Sequence, residues 1–298
     1  MNRENVARGG SAVMPRSRPR WKWRGQPLGW FDLTVYPLLT LWAIIALLPI
    51  YWMFTTSFRL SSHILEMPPQ FWPHPVTLEN YRRLLLNATV LRWVLNSIVV
   101  TGTITAVNVF FCTLAGYTLA KKEFPGRNLI FWSFIAMMMV PSQVTLVPLF
   151  ILMTSLSFIN TYWGLIVPGL FAPFGIFLMK QFVQTLPSEL IDAAKIDGAS
   201  EVAVFLRVIF PLARPGWAAL AIFLFVENWN DFLWPLLVTN AETMRTLQVG
   251  LATLQTRYLT DFGLLMAGAG ISALPMIVVF LAFQRHFVQG ITIGSVKG

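Results

Sequence analysis

"DAAKIDGASEVAVFLRVIFP", residues 192–211, is a polar stretch inside an otherwise very apolar chain. Residues 189–197 are mostly helix formers, with Ser188 in an N-cap position and Glu189 and Asp192 in the first turn, where the helix dipole favours negative charge. Gly198 suits the left-handed residue that closes such a helix, Ser200 caps a second one, and Pro211 limits how far that second helix runs undisturbed. The stretch therefore predicts two short helices meeting at a glycine elbow. Ala193 and Ala194 leave little bulk on the first helix, so another surface can approach closely while Asp192 offers a charge. Two readings fit these residues, a docking element and an ordinary amphipathic loop helix.

Outward from this stretch the chain reads as an all-α integral membrane protein. Of its 298 residues 56% are hydrophobic and 12% charged, against about 25% charged in soluble domains. No charged residue occurs between Asp32 and Arg59, Arg92 and Lys121, Arg127 and Lys180, or Asp261 and Arg285. A spanning helix needs about 20 apolar residues, and each gap exceeds that. The third gap accommodates two spans with 154–163 ("TSLSFINTYW") as the turn, and another runs through 216–238. Six transmembrane helices are predicted, at about 33–57, 93–120, 128–153, 164–184, 209–238 and 262–284, in one transmembrane domain over 32–298. Residues 1–31 form a separate basic tail, whose Arg, Ser, Gly and Pro content predicts disorder.

Charge sets the expected orientation. With the N-terminus inside, Arg59, Arg82, Arg83, Arg92, Arg245 and Arg257 are the outer cations, and the other sixteen of the 22 Lys and Arg lie inside. The positive-inside rule then places both termini in the cytoplasm of a multi-pass protein of the plasma or inner membrane. The same count explains the net charge of +9 with membrane lipid headgroups, not nucleic acid, as the partner of the basic tail. The first apolar run is too long for a signal-peptide core and is expected to stay as an uncleaved anchor.

Several chemistries lack their residues. Cys112 is the only cysteine and lies mid-span, which excludes an intrachain disulfide. His63, His74 and His286 lie far apart and form no metal-ligand spacing. No G-x-x-x-x-G-K-[ST] loop exists to cradle a nucleotide; Gly263 and Gly268 are followed by Ala269 and Gly270 in an apolar span. Gly268 with Ser272 and Ala269 with Ala273 are instead small pairs that let helices approach.

The fifth predicted span carries costly polar groups. Glu227 lies near its middle, with Asp231 one turn later and Trp229 and Asn230 between. Acidic groups at that depth must face a cavity or a partner. On one reading Glu227, Asn230 and Asp231 hydrogen-bond a polar substrate while Trp229 and Trp234 offer aromatic faces. On the other, they bond across to a second subunit or line a gate. Pro141, Pro148, Pro168 and Pro173 mark expected kinks in the third and fourth spans, and Gln143 and Thr145 nearby are further pathway candidates. The outer segment 59–91 has four prolines and a predicted short helix at "TLENYRRLL". It suits docking of a soluble protein or packing on the lipid surface, and residues 240–262 are a second candidate docking surface.

The spacing Asp192-Ala193-Ala194, Gly198, then Val208-Ile209-Phe210-Pro211 resembles the "EAA" loop of ABC importer permeases, with Asp for Glu at 192, Val for Ile at 208 and Phe for Leu at 210. "VPSQVTLVPLF" (140–150), "INTYWGLIVPGL" (159–170), "NWNDFLWPL" (228–236) and "QRHFVQGITIGSVKG" (284–298) are similar to the carbohydrate branch, specifically the maltose-type second permease, over about residues 30–298. The resemblance implies a type I importer permease whose cytoplasmic coupling loop includes Glu189, Asp192, Ala193, Ala194, Gly198, Ala199, Phe205 and Pro211. It implies partners as well: a homologous second permease, two ATPase subunits and an extracytoplasmic sugar-binding protein. The chain itself is then no enzyme and binds no cofactor, ATP and Mg being held by the ATPase subunits. Two rival expectations are an importer of glycerol phosphates and a proton-coupled transporter using Glu227 and Asp231 as a relay.

Overall fold

The computed structural model describes residues 30–60, 64, 71–257 and 261–293. The basic tail before residue 30, His63 and the final residues 294–298 lie outside these, as do the side chains of Arg285 and His286. All regular structure among the described residues is helical. Contacts separate two units, Met1–Pro49 and Ile50–Gly298. The first contributes most of α1 (Trp30–Ser57), a helix with prolines at 37 and 49. Its Tyr36, Leu38, Trp42 and Leu47 side chains are exposed, the pattern of a helix solvated by lipid tails.

The second unit follows with α2 (Glu79–Leu85), α3 (Ala88–Lys121), α4 (Arg127–Met138), α5 (Ser142–Ser155), α6 (Tyr162–Ile166) and α7 (Pro173–Gln184). Then come α8 (Glu189–Ile196), α9 (Glu201–Val204), α10 (Phe210–Leu212), α11 (Arg214–Asn230), α12 (Leu233–Val238), α13 (Leu247–Arg257) and α14 (Phe262–Ile293). Three helices, α1, α3 and α14, are each long and apolar enough to cross a membrane, and up to six spans result if each of three bent pairs counts as one.

The bends in the third and fourth spans fall among the expected proline kinks, whereas the fifth was read as one continuous span. The predicted span 128–153 is two helices, α4 and α5, meeting at 98°. Pro141 sits at that break: it has no N–H to donate, and its ring pushes Val140 out of the helical region. The predicted turn at 154–163 is present after α5, with Ser157 and Asn160 in left-handed conformations. The fourth span bends by 42° between the turn Val167–Leu170 and α7, whose first residue is Pro173. The predicted span 209–238 is broken twice. The helical stretch Glu201–Leu212 and α11 meet at 75°, and α11 ends at Asn230, leaving Asp231 extended before α12. Pro235 explains the second break, because a proline ring collides with the carbonyl four residues earlier, here Asp231.

Lipid tails are as apolar as leucine, so helix association rests on close fit and hydrogen bonds. α3 is the axis of that packing. A Cβ on Gly116 would stand 2.7 Å from the Met179 backbone, so only glycine allows α3 and α7 to approach this closely. At the Lys121 end of α3, Tyr117, Met179, Val183, Val204, Phe205 and Leu220 form a buried cluster. At its other end, Trp93 and Trp229 are buried with Leu247 and Leu264. There the side chain of Asn96 donates to Thr243 and Arg245 carbonyls and accepts from Tyr162, while Trp93 donates to the Glu242 carbonyl. Residues 240–257, within the second candidate docking surface, pack in part against this end of α3 while 240–243 stay exposed. They contain α13, which buries Leu247, Val249 and Leu254. Gly268 of α14 faces Leu251 of α13, the close packing that its small-residue pair predicts.

Candidate functional site

The segment 189–211 folds as a helix, a glycine turn and a second helix. α8 ends in a Schellman motif, with the Gly198 N–H on the Lys195 carbonyl at 3.0 Å and the Ala199 N–H on the Ala194 carbonyl at 2.9 Å. Gly198 has φ of +82°, a conformation that costs residues with a Cβ. Ser200 caps α9, its Oγ accepting from the Ala203 N–H at 3.3 Å. The expected cap from Ser188 is absent. Its side chain makes no cap bond, and its Oγ accepts instead from Lys121 Nζ at 3.1 Å. Ahead of Pro211 the helix widens into a π-turn at Phe205–Ile209, where the Phe210 N–H reaches back to the Phe205 carbonyl. Such single π-turns recur at functional positions in helices.

This segment has two distinct faces. Ile191, Val204, Phe205 and Ile209 are buried, and Ala194 and Ala199 pack against the same cluster. Phe205 stacks on Tyr117 with centroids 6.0 Å apart, and Phe210 stacks on Trp217, whose indole donates to the Phe210 carbonyl at 2.9 Å. The loop is therefore wedded to α3 and α11. On the opposite face Glu189, Asp192, Ala193 and Pro211 are exposed. So are the apolar side chains Leu190, Val202 and Ile196, the last 86% exposed. Ile196 and Asp192, one helical turn apart on α8, thus share the outward face of the elbow.

Glu201 ties the elbow together. Its carboxylate pairs with Lys195 across the glycine turn at 3.0 Å and with Lys122 just beyond α3, and it accepts from the Tyr117 hydroxyl at 3.4 Å. The hydrogen bonds from Lys122 and Lys195 hold the Glu201 carboxyl down to about 2. Burial pulls the Lys122 ammonium down, but its bonds to Glu201 and Tyr117 outweigh that and leave it above the ordinary lysine value. Lys121 adds a bond to the Leu186 carbonyl at 2.5 Å. None of Glu201, Lys195, Lys122, Lys121 or Tyr117 is singled out by the sequence reading. Lys122 and Glu201 are 79 positions apart, and no local pattern joins them.

The second group of candidate residues gathers at the break between α11 and α12. Glu227 and Asn230 are exposed and Asp231 is half-buried. Because α11 stops at Asn230, Glu227 and Asp231 do not share one helix face as expected. Asp231 Oδ1 instead accepts from the Trp234 N–H at 3.4 Å and starts α12. Asn230 Nδ2 donates to the Val226 carbonyl at 2.8 Å and reaches Met276 Sδ at 3.5 Å. Trp229 is no open aromatic face: it is 1% exposed, stacks on Phe225 and donates to the Ser272 carbonyl at 3.0 Å. Trp234 is half-buried and donates to the Gly164 carbonyl. Gln143 and Thr145 are exposed on α5, where Gln143 Oε1 lies 3.5 Å from Ser142 Oγ and the Thr145 hydroxyl donates to the Ser142 carbonyl. No group of three metal-ligating side chains occurs among the described residues.

Comparison with known proteins places this architecture. Residues 112–293 match the family described as "Binding-protein-dependent transport system inner membrane component". The chain is 38% identical over 259 residues to the arabinooligosaccharides transport system permease protein AraQ of Halalkalibacterium halodurans, covering 86% of this chain and 93% of that one. It is 32% identical over 269 residues to the sn-glycerol-3-phosphate transport system permease protein UgpE of Brucella abortus, covering 87% and 95%. Among solved structures, a bacterial ABC transporter involved in the import of the acidic polysaccharide alginate aligns with a TM-score of 0.77 at 23% identity, over 86% of this chain and 96% of that chain. That last likeness is one of fold, the type I importer permease. With its family match extending over more than half its length, and relatives above 30% identity along most of it, this chain belongs to the binding-protein-dependent inner membrane components, the multi-pass permeases of ABC importers.

Proposed function

We propose that this chain is one of two permease subunits of an ATP-driven importer of a sugar or oligosaccharide. The observation that carries the reading is the two-faced elbow at 189–211, one face locked to α3 and α11 and the other presenting Ile196 and Asp192 outward. In this scheme the outward face seats in a cleft of an ATPase subunit in the cytoplasm, and both chain termini lie on that side. Closure of two ATP-bound ATPase subunits moves α8, and Glu201 and Phe205 carry that movement into α3. The permease pair then opens outward to accept cargo from an extracytoplasmic binding protein and releases it inward after hydrolysis. ATP and Mg belong to the ATPase subunits. Residues 32–298 form the permease domain, and the basic tail at 1–31 lies along anionic headgroups.

The acidic cluster at the helix break supports uncharged cargo. Glu227 and Asp231 would repel a phosphate, and no Lys or Arg occurs between Arg214 and Arg245. The glycerol-phosphate reading keeps one support, the similarity to UgpE. ATP hydrolysis by the reconstituted complex, wild type against Gly198→Pro, tests the proposal. Proline fixes φ near −65° and cannot occupy this turn, so hydrolysis should lose its dependence on sugar and binding protein while the membrane helices stay folded. Unchanged uptake and hydrolysis would sink the coupling role, and uptake that persists without ATPase subunits would favour the proton relay.

A further inference from the structure

Opposite the elbow, at the Ala88 end of α3, the chain leaves α1 and later returns alongside it. The Tyr51 hydroxyl donates to the Phe71 carbonyl at 2.6 Å, and the Phe71 ring meets Trp52 edge-on with centroids 6.2 Å apart. Tyr51 and Trp52 precede Ser57, the last residue of the α1 span, by six and five positions. At 1.5 Å of rise per residue they lie roughly 8–9 Å inside that end. Phe71 is thus held at a depth within the span and not above it. By Thr77, whose N–H bonds the Phe58 carbonyl at 2.8 Å, the chain is back at the helix end. Residues 71–77 form a dip.

Three large side chains on this dip face outward: Phe71 is 71% exposed, Trp72 69% and Val76 62%. Where α1 crosses a bilayer over this span, side chains at this depth meet its boundary and not bulk water. The same depth demands that backbone polar groups find partners within the protein, and the bond from Tyr51 supplies one to the Phe71 carbonyl. The nearby cations Arg82 and Arg83 are paired with Glu79 and Asp261, and Arg59 lies buried over the Trp52 ring, so what the dip presents outward is its apolar and aromatic surface.

We propose that residues 71–78 are a lipid anchor, with Phe71, Trp72 and Val76 seated at the boundary between headgroups and acyl chains. The indole of Trp72, an apolar body with a polar N–H, favours that zone, and Phe71 and Val76 add apolar surface beside it. The anchor braces the end of α1 against the bilayer while the helices around α3 rearrange.

Spin labels at Trp72→Cys and Val76→Cys test this, each in the complete complex in phospholipid nanodiscs on a Cys112→Ala background. Both positions are exposed, so each variant leaves the fold intact and checks the other. Collision with oxygen, which concentrates in lipid, is compared with collision with a water-soluble nickel chelate, and Glu242→Cys supplies an aqueous reference. The anchor predicts an oxygen-to-nickel accessibility ratio several-fold above the reference at both positions. Ratios equal to the reference would overturn it and leave the patch standing in water, open to a protein partner.

Discussion

Lys195 and Glu201 face each other 3.0 Å apart across the Gly198 turn, and the other side of the same carboxylate holds Lys122 at the end of α3. One side chain thereby links the exposed helix α8 to the longest buried helix of the second unit. The Glu201 side chain is 58% exposed, and pairs this open contribute only about 0.2–1 kcal/mol to stability. Its value lies in fixing the angle of the elbow.

Replacing Glu201 by Gln should therefore leave the amount of assembled complex unchanged while lowering transport per ATP hydrolysed about 3–10-fold. Glu201→Gln, Lys122→Ala and the double variant should be non-additive, as expected for groups acting through one contact. Equal transport-to-hydrolysis ratios in wild type and Glu201→Gln would remove Glu201 from the coupling path.

The pH dependence of this link follows from the direction of the Glu201 shift. A carboxyl held down to about 2 when folded, against an ordinary value of 4.5, contributes its full stabilisation above 4.5 and loses it as pH falls from there through about 2. Between pH 8 and pH 5 the coupling ratio should be flat as far as this group is concerned. A tenfold fall between pH 7 and pH 5 that Glu201→Gln abolishes would contradict the low value.

Gly116 supports a prediction about packing. A Cβ there would lie 2.7 Å from Met179 backbone and Cβ atoms, and neither is the movable end of a side chain. Gly116→Ala should destabilise the subunit by about 1–3 kcal/mol, the usual cost of overpacking, and lower the unfolding temperature of the detergent-solubilised complex. Gly102→Ala, on the same helix with nothing within 4 Å of its added Cβ, is the control and should be close to neutral.

How much of this was legible in the sequence depended on the range of the cause. The elbow was readable because its determinants are local: Gly198 closes α8 and Ser200 caps α9 within a few residues. Ser188 failed as a cap because Lys121, distant in sequence, takes its hydroxyl. The straight fifth span failed for a reason present in the chain, since Pro235 forbids a continuous helix through Asp231; counting apolar residues between charges does not register it. Trp229 is buried, which the sequence does not announce, because apolar burial and pathway exposure look identical in a list of aromatic residues. Only the packing of α14, with the Ser272 carbonyl offered to its indole, separates them.

That separation yields a paired test at the helix break. Trp229→Ala removes a fully buried ring and should cost about 3–5 kcal/mol, so the subunit should be lost from the membrane along with all transport. Glu227 is exposed two positions away, and Glu227→Gln keeps its shape while deleting its charge; the subunit should accumulate normally and hydrolyse ATP. If Glu227 lines the pathway, uptake of a neutral sugar should change several-fold and discrimination against a charged analogue should weaken, because the repelling carboxylate is gone. If Glu227 instead bonds the second permease, the two permeases should dissociate more readily in detergent with selectivity intact. Measuring subunit abundance, co-purification and the neutral-to-charged uptake ratio on the same preparations decides between these roles, since each moves a different one of the three.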